Sequence, residues 1–308
     1  MTARESPRRI GRTIALPPPA PGFAGPGHTA VEVLGPDALG ESDPFVLLMD
    51  DRIDFAPGRR IGGAHPHAGL ETVTLVLEGT LRDRDEGELV AGDALWMTAG
   101  RGIIHNEEVE ATGASRVLQL WVGLPSAHRD AAPSFQVIGG ASAPVHRAAG
   151  VVARLYSGAT AGLRSPTTNR VPVTLVDVAL EPGARFDPEL PASYRGFVYV
   201  LSGALTAGPE GTPIAAGEIG WLGRADGSAP TTTLALVASA AGARAVIYAG
   251  EPHGERLVQR GPFVAGSLEE IARQHHAFRS GRFTRMSDLA RSASSAGATV
   301  DRSALAPR

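Results

Sequence analysis

The chain has 308 residues, 43% apolar and 20% charged, the make-up of a folded protein with a sizeable core and a length that suits two ordinary domains or one large one. A net charge of −3 offers no general attraction to nucleic acid or to an anionic membrane. There is no cysteine, and all 29 basic residues are arginine, so disulfides, thiolate metal sites, cysteine nucleophiles and lysine Schiff bases are excluded.

Residues 1–22 are rich in Arg and Pro, with Pro17-Pro18-Pro19, and predict a flexible arm over 1–25. Arg8-Arg9 is not followed by an apolar stretch, so no secretory signal is expected. No run approaches about 18 consecutive apolar residues, so no membrane-spanning helix is expected and a cytoplasmic location follows by default. Strand-like text begins at 29–34 and continues at 45–49. Then come the β-branched run 73–77, ending in Glu78-Gly79, a short buried strand at 94–97 after Gly92-Asp93, and an alternating strand at 116–122. Many short strands between Gly and Pro turns predict an all-β sandwich or barrel.

After Pro133 the pattern restarts. Phe197-Val198-Tyr199-Val200-Leu201-Ser202-Gly203 echoes the run ending at Gly79, an offset of 124 between the two glycines. Gly217-Glu218-Ile219-Gly220-Trp221-Leu222 echoes Gly92-Asp93-Ala94-Leu95-Trp96-Met97, an offset of 125. Two landmarks at nearly one offset indicate an internal duplication. The expected domains are a first copy over 26–140 and a second over 150–265. A helix over 266–283 follows, with Ser267 and Glu270 as a capping box, an apolar face of Leu268, Ile271, Ala272 and Phe278, and Gly281 as its stop. The Ser/Ala-rich stretch 287–308 reads as a disordered tail.

Two pairs of ligand-type residues stand out in the first copy: His65-Pro66-His67 and His105-Asn106-Glu107. On a strand, residues two apart point to one face. His65 and His67 then aim at one point, and His105 and Glu107 at another. If the two strands face each other across a small barrel, the points coincide, and three imidazoles with one carboxylate make a metal site of nitrogen and oxygen donors. The second copy has Pro191-Ala192-Ser193-Tyr194-Arg195-Gly196 and Gly223-Arg224-Ala225-Asp226-Gly227 in the corresponding places. The scaffold therefore folds without these ligands. Glu71 is either a further ligand or a strand-start residue facing solvent or a supporting partner. Glu108 has the opposite parity to Glu107 and should point away. Arg101 is either a loop charge or an anchor at a pocket mouth. His28, His128, His146, His253, His275 and His276 read as surface or structural. Trp96, Trp121, Phe45 and Met49 read as core, with Phe45 and Met49 near enough to line a pocket.

Three stretches carry a resemblance: His65-Pro66-His67-Ala68-Gly69-Leu70-Glu71-Thr72-Val73-Thr74; Trp96-Met97-Thr98-Ala99-Gly100-Arg101-Gly102-Ile103-Ile104-His105; and Gly250-Glu251-Pro252 followed by Gly261-Pro262-Phe263-Val264. From about Val31 to Phe283 the chain resembles the pirins of the cupin superfamily. The resemblance implies two tandem cupin (jelly-roll type) β-barrels with one metal in the N-terminal barrel. It implies His65, His67, His105 and Glu107 as the ligands, and iron(II), or another divalent transition metal, as the ion. General cupins differ: their glutamate would fall on Thr72 and their last histidine on Ile103. The later histidine and Glu107 follow the pirin pattern.

The resemblance implies quercetin 2,3-dioxygenase chemistry, in which a flavonol ring is opened with O2 and carbon monoxide is released. The substrates would be a small aromatic or enolic molecule and O2, with Glu107 also taking the substrate's hydroxyl proton. The alternative is an iron-binding, redox-responsive regulatory protein acting through a protein partner, since the charge disfavours direct nucleic-acid contact. A third reading is a structural cupin with an incidental metal.

Overall fold

A computed structural model describes residues 6–56, 59–85, 87–111, 113–225 and 229–289. In chain order the strands are β1 (Ile10–Ala15), β2 (His28–Leu34), β3 (Phe45–Ile53), β4 (Ala64–His67), β5 (Leu70–Glu78), β6 (Ala94–Thr98), β7 (Ile103–Asn106), β8 (Ser115–Gly123) and β9 (Ser134–Ile138). The second half adds β10 (Val151–Ser157), β11 (Val173–Leu180), β12 (Arg195–Ala207), β13 (Glu218–Leu222) and β14 (Leu236–Gly250). The helix α1 (Leu268–Arg279) and β15 (Thr284–Arg285) follow. The fold is all-β, built on two large sheets with a short C-terminal helix. Among the described residues no helix is long and apolar enough to cross a membrane.

The duplication is visible in the strand order. The first sheet runs β9-β6-β5-β8-β3-β2 and the second β1-β13-β12-β14-β11-β10. Register repeats as well: Trp96 lies opposite Val73 in the first sheet, and Trp221 opposite Phe197 in the second. Gly79, at the bend after β5, and Gly203, beside an irregularity within β12, take φ +77° and +68°, where an added Cβ would run into the backbone of a neighbouring segment. Each copy also holds a buried aspartate in a two-pronged arginine pair. Arg116 donates to both oxygens of Asp50 at 2.9 and 2.6 Å, and Arg244 to those of Asp177 at 3.0 and 2.9 Å.

The central strands show why the sequence reads as it does. β5 is buried along eight of its nine residues, because neighbours cover it on both sides, and its text is accordingly a near-continuous apolar and β-branched run. The second copy closes around Leu155, Val176, Val178, Val198, Val200 and Ile247.

The N-terminal segment departs from the expected arm. Ser6 and Pro7 pair with Thr232 and Thr233, and β1 pairs along β13, with Ile14 opposite Ile219. Ile10, Thr13 and Ile14 suit a pleated edge, and this partner strand outweighs the Arg/Pro composition. Contacts group the stretch up to Pro19 with Val31–Val46 and Ile138–Gly254. They group the chain from Glu255 onward with Ala20–Ala30 and Leu47–Val137. The C-terminal segment thus belongs with the first copy: α1 packs Ile271 into a cluster with Ala68, Phe263, Ala265 and Phe283. Glu270 N–H donates to Ser267 Oγ at 3.2 Å, which is the expected cap. The Glu270 carboxylate instead accepts from Gly266 N–H at 2.7 Å. Leu268, expected on the apolar face, is exposed. Residues 286–289 form a helical turn, and the rest of the expected tail, 290–308, lies outside the described residues.

Candidate metal centre

β4 and β7 are neighbours in one antiparallel ladder, and His65 lies directly opposite His105. The two pairs therefore meet side by side rather than across a barrel. Period-two alternation puts His67 on the face of His65, and Glu107, just past the end of β7, on the face of His105. Gly62, at φ +94°, lets the chain before β4 lie against the Glu107 carbonyl, which a Cβ would strike.

His65 Nδ1 is 3.0 Å from the Gly63 carbonyl, an acceptor only, so this nitrogen carries the proton and Nε2 presents a lone pair. His65 Nε2 stands 2.9 Å from His105 Nε2. Two ligands at right angles around a metal, each about 2.1 Å from it, are about 3 Å apart. One ligand atom from each of His65, His67 and His105 lies within 4.8 Å of the others. The Glu107 carboxylate approaches both sides, at 3.6 Å from His65 Nε2 and 3.7 Å from His105 Nε2.

His67 and His105 are buried, and Nδ1 of His67 makes no hydrogen bond. Burial is the main cause that pushes the His67 imidazole well below its ordinary pKa, and repulsion from His105 and His65 adds to it. Burial likewise lowers His105 to about 4, partly offset by the Glu107 charge. Both rings are neutral at pH 7, the state that ligates metal. Three imidazoles crowded around one point, beside a carboxylate, fit a divalent cation. Among the described residues no other cluster of three or more His, Asp or Glu has ligand atoms this close.

The cluster opens into a cavity of about 730 Å³. Two strands supply its walls through alternation: Leu47, Met49, Asp51 and Ile53 from β3, and Val117, Gln119 and Trp121 from β8. Trp121 sets its ring edge-on to His67, centroids 5.1 Å apart. The apolar wall carries two polar features. His28 Nε2 is 2.8 Å from Asp51 Oδ1, and Ala24 N–H donates to His28 Nδ1 at 3.2 Å. Thr74 Oγ1 donates to Gln119 Oε1 at 2.8 Å, leaving the Gln119 amide N–H groups as donors.

The sequence-derived residues sort clearly. His65, His67, His105 and Glu107 come together. Glu71 is buried, accepts from Thr98 Oγ1 at 2.7 Å, and stands outside both the cluster and the cavity wall. Glu108 turns away to Arg84, at 3.3 Å. Arg101 is an exposed loop charge outside the cavity lining. Met49 lines the cavity, whereas Phe45 is core, against Phe197 and Tyr248. Trp121 and His28 are cavity residues that sequence reasoning placed in the core or as surface or structural. The alternation around Trp121 was visible, but nothing in the sequence near His28 marks its partner.

Two sheets of one strand order, with three imidazoles and a carboxylate gathered in the first copy, define a bicupin with one candidate metal centre. The Pirin family model matches residues 29–122, and the Pirin C-terminal cupin domain matches residues 175–284. Pirin-like protein 2 of Arabidopsis thaliana is 35% identical over 237 residues, 74% of this chain and 72% of that protein. Human pirin is 32% identical over 267 residues, 84% of this chain and 89% of the other. The chain belongs to the pirin family. Among solved structures, a quercetin 2,3-dioxygenase from Acinetobacter baumannii superposes with a TM-score of 0.78 at 26% identity, covering 90% of this chain and 98% of that one.

Proposed function

We propose that the chain is a metal-dependent dioxygenase of the quercetin 2,3-dioxygenase type, with iron(II) held by His65, His67, His105 and Glu107. The carrying observation is that the histidine cluster forms part of the wall of a mostly apolar cavity of about 730 Å³, a size suited to a flat polyphenol. The match to a quercetin 2,3-dioxygenase structure supports the same reading. A bound iron would act as Lewis acid toward an enolate oxygen and as the site of electron exchange with O2.

The chain's own residues supply binding and proton handling. Leu47, Met49, Ile53 and Val117 exclude water from the ring. Trp121 holds His67 in place and offers its indole to an aromatic ligand. The Gln119 amide and the His28–Asp51 pair fix polar substituents. Glu107, half-buried at the cavity wall, accepts the substrate's hydroxyl proton at a carboxylate oxygen.

The test is anaerobic loading with iron(II), followed by quercetin and O2, with substrate loss and carbon monoxide both measured. Carbon monoxide in step with quercetin loss, absent in His105→Ala, is the expected result. An iron-replete parent that yields none would sink the quercetinase reading. A partner-binding role that follows the iron's oxidation state would then lead.

A further inference from the structure

The second copy has a cavity of its own, of about 700 Å³, where its metal ligands would have been. It is lined by Ala192–Gly196 and Trp221–Ala225, the segments that replace the His-bearing stretches of the first copy, together with residues from the N-terminal segment. Its charge is inverted. Arg8, Arg12, Arg195 and Arg224 all line it, and Glu41 is the one carboxylate among the described lining residues.

Arg8 is fully buried. Its guanidinium donates to the carbonyls of Ala192 and Tyr194, and its Nε has no hydrogen-bond partner. Among the described residues no carboxylate pairs with it. Burial lowers its pKa, the sign of a charge held out of water without full compensation. Trp221 Nε1 is a second buried donor without a partner in the same wall. Arg12 lies over the Trp221 ring, 5.5 Å from its centroid, and takes up Glu41 at 2.8 Å. Half-buried Arg195 and exposed Arg224 have no ion pair among the described residues. A cavity with this surplus of donors, and the one acidic residue of its described lining already engaged, is built for an acceptor-rich guest.

We propose that the second cupin copy is a binding site for a small organic anion, a carboxylate or a phosphate ester, seated between Arg8 and Arg195 with Arg224 at the mouth. The duplication would then have produced one cation site and one anion site on a single scaffold.

Calorimetric titration of the full-length protein tests this, with citrate and phenyl phosphate as probes and sodium chloride at matched ionic strength as control. Each probe is run on metal-loaded and on metal-stripped protein, because an open iron site also attracts anions. One probe is expected to bind one per chain with a dissociation constant below about 1 mM. Affinity should fall at least about tenfold in the double variant Arg195→Gln/Arg224→Gln, whose metal content stays that of the parent. Binding by citrate alone identifies a carboxylate site, and by phenyl phosphate alone a phosphate-ester site. No binding by either probe overturns the proposal. So does binding that disappears with the metal, or binding that the double variant leaves unchanged.

Discussion

His65 and His105 are cross-strand partners whose Nε2 atoms stand 2.9 Å apart, while the proton of His65 is committed to the Gly63 carbonyl on the other side of its ring. Either the Nε2–H of a neutral His105 or a cation can lie between two imidazole nitrogens at that distance, and the His65 Nε2 lone pair accepts both. Burial keeps His105 neutral, and the neutral imidazole is the form that ligates a metal.

Glu107 completes the set and is the proposed proton acceptor. Glu107→Gln keeps the shape and removes the charge. Turnover of quercetin should fall by about 10²–10⁴-fold, with iron still bound at a lowered affinity. Steady-state rates beside iron content per chain check this; parent-like turnover in the variant would remove Glu107 from the chemistry.

The buried imidazoles set a pH dependence in the metal-free protein. His105 titrates at about 4 in the folded chain, and His67 is also held well below its ordinary value, against about 6.5 when unfolded. Between those pH values the unfolded chain binds protons that the folded chain does not. Stability is therefore fullest above about pH 6.5 and declines as pH falls toward about 4. Urea midpoints across that window should drop in the parent and drop less in His105→Gln. A parent midpoint that stays flat would contradict the assignment.

The cavity makes a separable claim about substrate. Met49 projects into it from β3, outside the β4–β7 ladder that carries the histidines. Met49→Trp fills that space. KM for quercetin should rise by roughly tenfold or more, with iron content unchanged. Unchanged KM would place the substrate elsewhere.

Strand β1 makes a claim about the fold. Its register along β13 and the burial of Ile10 give it a share of the second copy's stability. Deleting residues 1–16 should lower the thermal midpoint by roughly 5–10 °C and expose β13 as an edge prone to self-association. A truncated protein that melts with the parent would restore the picture of a free arm.

Much of this architecture was legible in the sequence, and the rest was hidden for identifiable reasons. The 73–77 run and its echo at 197–201 announced the central strands, because a strand buried on both faces reads as a near-continuous apolar and β-branched run. The spacing at His65, His67, His105 and Glu107 announced which side chains would share a face, because strand parity is local. That β4 and β7 pair with each other was not local, and the pairs turned out to be neighbours in a ladder. The partners of β1 lie some 200 residues away, so nothing near Ile10 could reveal them, whereas its prolines and arginines spoke for an arm. The links between Asp50 and Arg116, and between His28 and Asp51, likewise depend on strand order. Trp121 and Gln119 alternate with core residues, but which face opens into a cavity is decided by what covers it.

The most direct measurement is X-ray absorption at the iron edge of the iron(II)-loaded protein, beside His105→Ala. Three imidazole nitrogens and a carboxylate oxygen at about 2.1 Å, with one imidazole lost in the variant, are the predicted result. Fewer than three imidazoles in the parent, or a spectrum that His105→Ala leaves unchanged, would contradict a metal centre built from His65, His67, His105 and Glu107.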